Sequence, residues 1–582
     1  MKLTINKQLI QMPIDAKISI ERTSPVLNEK TGTFSYPFPV PTLPNEKALG
    51  YPGRLQRVGY LSSKEFVLED GGLQILRGEI DFDDGATRPE TGLILKSSLT
   101  DFNSIAKNKK LSDLDYGSLY LWPEGPITDD VEARINAWNI YNTNGGDIDS
   151  PMAPCVIESG GSVIEVNRVN AATGNFDPNI DWSTFVLNVR LYYMFQFRIR
   201  WILPQILEAF GYEVLEDEFA AVSNVFKDAV IFSNPLLING TWARDGGGTY
   251  VTKKVTPYGS INYGDLMPDV LITDFLQAIA NMFCIYFDFN ERKKTVSIRW
   301  KETIFTAAPE TAVKLVELDS WKHNVNPETT GYALRYEAQD NEDDTEEDFL
   351  VTEEITGSTI PEPEYEGQLI HYQLYDRYYL AKLNESDALY WSRFGRLKGI
   401  TSGEGELYEQ PIKAKIPEQV KMMGAEGPQL KISLDDYQKE GGVAARLSDL
   451  YISVYRGKSQ LTGLNFPLLC AEETTLADPD LSYSPVQYLT SNLQPKCLIN
   501  SHQDFLNFKG NTIGATKYLR LSLRDVINLK WNKRYVINGI PILINKINYE
   551  LPHKGICKIE AYTAPAREEE IDFGPLPPNL IM

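Results

Sequence analysis

Four histidines, His323, His371, His502 and His553, are the whole imidazole supply of this 582-residue chain. They are where acid–base or metal chemistry would be sought first. None stands in an H-E-x-x-H or H-x-E arrangement, the spacings that put two ligands, or a ligand and a general base, on one helical face. Each is isolated in sequence, and we read all four as surface or hydrogen-bonded core side chains, not as catalytic groups. Asp245-Gly-Gly-Gly248 is rich in glycine but runs into Thr-Tyr-Val, with no lysine and no helix to receive a phosphate, so it reads as a flexible loop. Asp340, Glu342, Asp343, Asp344, Glu346, Glu347 and Asp348 gather carboxylates at the alternation used by calcium loops. They lack the glycine that lets an EF-hand turn, and so dense a run of one charge is a solvated loop. Cys155, Cys284, Cys470, Cys497 and Cys557 are odd in number and contain no C-x-x-C pair, which argues against a disulfide framework and against structural zinc. There is no G-x-S-x-G elbow, no P-loop and no dinucleotide fingerprint. Paired carboxylates of the glycosidase kind are always available among 79 acidic residues, so their presence carries no information. The expectation is a chain with no catalytic residue, no metal and no cofactor.

Composition narrows the class of partner. The formal net charge of −22 opposes capture of nucleic acid, which depends on Lys and Arg releasing counterions from phosphates, and it opposes adsorption to anionic lipid. No apolar run approaches the roughly 20 residues of a membrane span, and the opening Met-Lys-Leu-Thr-Ile-Asn-Lys has no signal-peptide core, so synthesis in a cytoplasm is expected. The aromatic share of 11%, fed by 31 tyrosines, suits strands and protein interfaces.

The elements that would carry these residues are mainly strands. Leu3–Ile5, Lys17–Ile20, Glu65–Leu68 and Leu73–Leu76 read as short strands, and Asp70-Gly71-Gly72 between the last two is a hairpin signal. Phe34-Ser-Tyr-Pro-Phe-Pro-Val-Pro-Thr-Leu-Pro44 is expected to be extended, neither helix nor central strand, because proline removes backbone donors. Its aromatic and apolar residues Phe34, Tyr36, Phe38 and Leu43 are therefore expected at an interface with a neighbouring molecule. Two helices stand out. Ile199, Ile202, Leu203, Ile206, Leu207 and Phe210 share one face, with Pro204 kinking or starting the helix and Gly211 capping it. Ile272, Phe275, Leu276, Ile279 and Phe283 repeat the offsets and are expected to be the core helix of a central unit, followed by strands at 285–289 and 295–300. The recurrence of helix then strand hints at an internal duplication. A further helix is expected around Glu385–Arg396. Strands return at Leu450–Tyr455, Tyr518–Leu523 and Tyr535–Ile544, the last folded at Asn538-Gly539.

Phe34-Ser-Tyr-Pro-Phe-Pro-Val-Pro, Lys110-Leu-Ser-Asp-Leu-Asp115, Ala209-Phe-Gly-Tyr212, Met267-Pro-Asp-Val-Leu-Ile-Thr-Asp-Phe-Leu276 running to Trp300, Leu521-Ser-Leu-Arg-Asp525 and Tyr535-Val-Ile-Asn-Gly539 together resemble the tail hub and baseplate proteins of tailed phages and prophages of gut bacteria. The resemblance implies small β-barrel or β-sandwich domains, each with a packed helix. It implies a homo-oligomer, a trimer, around the tail axis, joining the tail tube to tip or fibre proteins, in a virion tail assembled in the host cytoplasm. If such a ring encloses a channel, carboxylates on its wall would repel a passing genome.

The expected fold is thus mainly β with α+β units. The expected division is a β domain over 1–99 with the Pro-rich segment, a loop-rich insertion over 100–181, an α+β hub unit over 182–336, a mixed domain with the acidic loop over 337–499, a β domain over 500–565 and a tail over 566–582. The competing functions are a tail-associated cell-wall hydrolase and a carbohydrate- or receptor-binding adhesin. A hydrolase would need a pocket with convergent acids or a metal.

Overall fold

The computed structural model describes residues 1–27, 32–51, 64–83, 90–119, 186–221, 229–244, 250–255, 261–290, 292–306, 447–458, 514–537 and 540–563 as continuous stretches, with shorter pieces at 153, 155–159, 162–167, 169–170, 175–176, 308, 316–317, 322–324, 329–336, 369–372, 377–383, 389–394, 406–412, 414–415, 418–421, 428–433, 442–443, 467–470, 505 and 508. The acidic run Asp340–Asp348, Asp245–Gly248, Cys497, His502, Asn538-Gly539 and the 566–582 tail lie outside the described residues. The described chain is mainly β, with several sheets and few helices.

The N-terminal strands are β1 (Lys2–Ile5), β2 (Gln8–Leu9), β3 (Ile18–Thr23), β4 (Thr33–Ser35), β5 (Phe38–Pro41), β6 (Lys64–Asp70), β7 (Leu73–Phe82) and β8 (Glu90–Ser97), with helices α1 (Thr42–Leu49) and α2 (Ser98–Ala106). Alternation along β6 puts Phe66 and Leu68 inside and Glu65 outside, as a half-buried strand requires. The β6–β7 hairpin pairs Asp70 with Leu73, and Gly71 and Gly72 both take positive φ, the backbone of a two-residue type I′ turn. Gly78 permits a close approach, since a Cβ there would overlap the carbonyl oxygen of Lys96 on β8.

A central α+β unit follows, made of α3 (Ile199–Ala209), β9 (Glu213–Asp217), α4 (Ile272–Phe283), β10 (Ile285–Asn290) and β11 (Thr295–Trp300). Helix α3 begins at Ile199 and runs through Pro204 without ending, and Gln205 Nε2 donates to the Trp201 carbonyl at 3.0 Å one turn back. Gly211 takes φ 77° just past its end. Ile272, Phe275, Leu276, Ile279 and Phe283 of α4 are all buried in one cluster with Ile199, Ile202, Leu203, Ile206 and Leu207 of α3. Each such side chain contributes about 1.5–3 kcal/mol by leaving water. The two helix–strand units meet in one three-stranded sheet ordered β9-β11-β10, with β9 parallel to β11.

The C-terminal elements are β12 (Gly514–Arg520), α5 (Leu523–Asn528), β13 (Tyr535–Ile537), β14 (Ile540–Leu551) and β15 (Ile556–Thr563). They do not stand apart from the N-terminus. A 14-stranded sheet runs β2-β1-β6-β7-β8-β4-β3-β14-β15-β12 and on to Val316–Glu317, and both chain regions share one hydrophobic core. Its seam is β3 on β14, from Ile18 opposite Leu551 to Thr23 opposite Lys546. Arg22 fastens the same seam by donating to the Val526 carbonyl of α5. Other distant segments also meet: Cys155–Ser159 pairs parallel with Pro428–Ser433, and Ala229–Ile231 pairs with Ile452–Val454.

Three expectations are corrected. Residues 34–44 are not uniformly extended at an edge: β4 sits between β8 and β3, and Thr42–Leu49 is helical from the residue after Pro41. Pro44 falls in the first helical turn, where its missing N–H has no partner to lose. The expected helix around Glu385–Arg396 contains a strand, Leu389–Phe394, paired with Arg377–Leu383, because Tyr390, Trp391 and Phe394 favour a sheet when a neighbouring strand is present. Leu521–Leu523 leaves strand geometry, and Ser522 caps α5 through a box with Asp525.

Candidate assembly surface and cleft

Phe34, Tyr36, Phe38 and Leu43 separate once the chain folds. Phe38 is 4% exposed, opposite Leu93 on β8, and belongs to the protein's own core, which removes it from any interface with a neighbour. The alternation of β5 is the reason: Phe38 and Val40 point inward while Pro39 faces out. Phe34 is half-buried and meets Tyr36 edge to face at 5.8 Å. Tyr36 and Leu43 remain exposed, Leu43 at 73% on the first turn of α1.

Tyr36 is held in a charged frame. Its hydroxyl donates to Glu21 Oε2 at 2.7 Å, and Lys546 Nζ lies 3.1 Å from the other carboxylate oxygen. The hydrogen bond to Glu21, then burial, push the phenol upward, so it stays a donor. Leu43 has company that sequence reasoning missed: Leu9 and Ile14, also largely exposed. They lie on either side of Gln11, which Asn45 of α1 grips in both directions. Gln11 N donates to Asn45 Oδ1 at 2.7 Å, and Asn45 Nδ2 donates to the Gln11 carbonyl at 2.9 Å and to the Pro41 carbonyl at 2.8 Å. The buried amide fixes two apolar-bearing segments at the β2 end of the sheet, where the ladder stops. Met12-Pro-Ile14 carries no periodic signal that could have announced this.

A cleft of about 610 Å³ opens where α2 and α4 approach β10 beside β7 and β8. Thr100, Asn103 and Ser104 share one face of α2, Lys107 lies just past its end, and Thr273, Asp274 and Gln277 line the α4 side. Lys96 Nζ bridges Asp81 at 2.7 Å and Ser104 at 3.3 Å. Burial raises the Asp81 carboxyl, but the bond and charge of Lys96 outweigh it and the net shift is downward.

Behind the cleft, Asp101 is 1% exposed. Its Oδ2 accepts from the Tyr212 hydroxyl and lies 3.6 Å from Lys294 Nζ, while Oδ1 has no partner. Burial pushes this carboxyl up to about 6, against the opposing pull of Lys294 and Tyr212. Burial and the Asp101 charge drive the Tyr212 phenol far upward, so it remains protonated. Arg299 gathers Glu216 at 2.5 Å, Glu218 at 3.1 Å and Asp288 at 3.8 Å, tying β9 to β11 and β10.

The described histidines lie on separate elements. His323 and His371 lie on strands of different sheets, and His553 Nε2 meets the Leu521 carbonyl at 2.8 Å beside Tyr549. Cys155, Cys284 and Cys557 are buried free thiols, and burial pushes Cys557 up to about 12 despite Arg22. Cys470 lies on the strand Pro467–Cys470. Among the described residues, no three His, Cys, Asp or Glu side chains are placed to hold a metal ion, and no helix is long and apolar enough to cross a membrane.

No family model and no curated protein matches the sequence. Among solved structures, the 43 kDa tail protein of prophage MuSo2 from Shewanella oneidensis is similar at 10% identity and a TM-score of 0.33, over 97% of this chain and 98% of that one. The tail protein from Neisseria meningitidis MC58 is similar at 8% identity and a TM-score of 0.27, over 97% and 95%.

Proposed function

We propose that this chain is a non-enzymatic structural subunit of a phage tail, a hub or baseplate protein that self-associates as a trimer about the tail axis and joins the tube to tip or fibre proteins. Its place is the virion tail, reached after assembly in the host cytoplasm. The observation that carries the reading is that Leu9, Ile14 and Leu43 are large apolar side chains left exposed on two segments that Asn45 ties together, beside the β2 end of a sheet that unites both ends of the described chain. Large apolar side chains left in water gain by meeting a complementary surface, and backbone already held by Asn45 spares part of the ordering cost of doing so. The sheet supplies a stiff body, which a load-bearing joint needs, and the acidity keeps a tyrosine-rich surface soluble before assembly.

Light scattering tests the reading. The native chain is expected to give a mass of three copies, and Leu43→Asp with Ile14→Asp is expected to shift it toward one copy while unfolding free energy changes by less than about 0.5 kcal/mol. An unchanged oligomer removes these side chains from the interface. A monomeric native protein that cleaves cell-wall material overturns the structural reading in favour of a hydrolase.

A further inference from the structure

The C-terminal strands differ in charge from the rest of the chain. Residues 514–563 hold nine Lys and Arg against three Asp and Glu, within a chain of net charge −22. Lys517 and Arg534 are buried, Lys546 bridges Glu21 and Glu560, and Lys558 pairs with Glu560. Arg520, Arg524 and Lys554 stay exposed, and among the described residues no carboxylate pairs with them. Three segments bring them together at Leu521. Its N–H donates to the Gly555 carbonyl at 3.1 Å, its own carbonyl meets His553 Nε2 at 2.8 Å, and Ser522 next to it caps α5, whose first turn carries Arg524. Arg520 is directly opposite Ile556 across β12 and β15, and Tyr518 lies two residues along the same face; both apolar-bodied side chains are exposed. The result is a cationic patch that includes two large side chains, with the Arg and Tyr content of a protein interface.

Nucleic acid is the poorer match for this patch. Single-strand binding sets successive bases on several aromatic rings, and Ile556 offers no stacking face, while the acidity of the whole chain repels a long polyanion. An acidic protein surface fits, and the same acidity makes a second copy of this chain a ready source of one. Two basic patches repel each other, so the contact cannot join like to like across a two-fold axis. It needs a different, acidic surface on the next copy, the head-to-tail arrangement from which rings are built. Strand β9 offers such a surface. Leu215 is exposed there between Glu213 and Glu216, and Glu208 is exposed in the last turn of α3 just ahead of it in the chain. Glu208 and Glu213 pair with no cation among the described residues, and β9 is the outer strand of its sheet. We infer that the patch of Arg520, Arg524 and Lys554 docks on the acidic β9 surface of a second copy, with Tyr518 and Ile556 covering Leu215. The inference rests on the self-association proposed above and gives it a contact separate from Leu9, Ile14 and Leu43.

The test uses the full chain, with dissociation of the oligomer followed by light scattering across a dilution series. Arg520→Glu, Arg524→Glu and Lys554→Glu together are expected to raise the dissociation concentration about tenfold or more, and Glu208→Lys with Glu213→Lys is expected to do the same. All of these positions are exposed, so circular dichroism and melting temperature are expected to match the native chain. Arg520→Gln with Lys554→Gln, which removes charge without reversing it, is expected to act in the same direction by a smaller factor. The deciding variant combines every reversal in one chain. It restores opposite charges at each contact and is expected to return the native dissociation concentration. Native-like dissociation of either partial variant overturns the inference and leaves the assembly reading standing. Failure of the combined variant to recover also overturns it, because the two surfaces then do not meet. A monomeric native chain overturns both. Binding of a single-stranded oligonucleotide that the reversal of Arg520, Arg524 and Lys554 abolishes, with oligomeric mass unchanged, assigns the patch to nucleic acid and equally overturns it.

Discussion

The hydroxyl of Tyr212 donates to the carboxylate of Asp101 at 2.5 Å, joining the end of α3 to α2 across 111 residues of sequence. Lys294, from the turn between β10 and β11, completes the contact at 3.6 Å and also lies over the Tyr212 ring. Helix α2 leaves the large sheet directly after β8, so this buried trio is a polar bolt between the sheet and the central unit.

That bolt makes stability depend on pH. Burial raises the Asp101 carboxyl from 3.8 to about 6, so the folded state holds its proton more tightly than the unfolded chain does. Such a group stabilises fully below about 3.8 and loses its contribution as pH rises through about 6, a change of up to roughly 3 kcal/mol. Denaturant titrations across that window are expected to show a falling contribution in the native chain that Asp101→Asn lacks. Identical pH slopes in the two proteins would refute it.

Phe38→Asp is expected to unfold the large sheet, at a cost of about 3–5 kcal/mol or more, because it deletes a core aromatic and places a charge opposite Leu93. Circular dichroism of this variant beside Leu43→Asp separates a core side chain from an exposed one. If Phe38→Asp melts like the native protein, the core assignment of β5 fails.

Asn45→Ala removes three hydrogen bonds from a side chain that is 2% exposed. A loss of about 2–4 kcal/mol is expected, since the backbone groups of Gln11 and the Pro41 carbonyl are left unpaired. Faster amide exchange at Gln11 is the specific readout; exchange at the native rate would show that the grip is not needed.

Ile279→Ala, at a fully buried position of α4, is expected to cost about 2–5 kcal/mol. Gly78→Ala is expected to be as severe although it adds only a methyl group, because the new atom would overlap the Lys96 carbonyl and push β7 from β8. A Gly78→Ala protein within about 0.5 kcal/mol of native would mean that the strands separate there at no cost.

Helix α4 was legible because its stripe repeats at the helical period and each apolar residue reports its own burial. The β6–β7 turn was legible because Gly71 and Gly72 are needed where φ is positive. What sequence hid was partnership. Nothing local in Ile18–Thr23 says that its neighbour is Lys546–Leu551, so the two ends were expected as separate domains though one sheet holds both. The same blindness made Leu389–Phe394 a helix, since a strand declares itself only with its partner. Within the expected interface set, the prolines point to an extended segment that is neither helix nor central strand, yet the alternation of β5 buries Phe38 regardless. Asp101 looked like any helix carboxylate, because its burial comes from Tyr212 and Lys294, both remote in sequence.

The pairing of residues 18–23 with residues 546–551 also sets a clock. Strand β3 leaves the ribosome among the first, but the strand that completes its ladder is made near the end of the chain. At roughly 5–20 residues per second, the wait is about half a minute to two minutes. Throughout that interval the β3 edge, with Ile18 and Ile20 bare, is an open template for the same strand on a neighbouring nascent chain. Polysomes that crowd such chains together would convert a folding delay into mispaired aggregates. Holding factors or slow initiation should therefore govern soluble yield more strongly than the stability of the finished molecule.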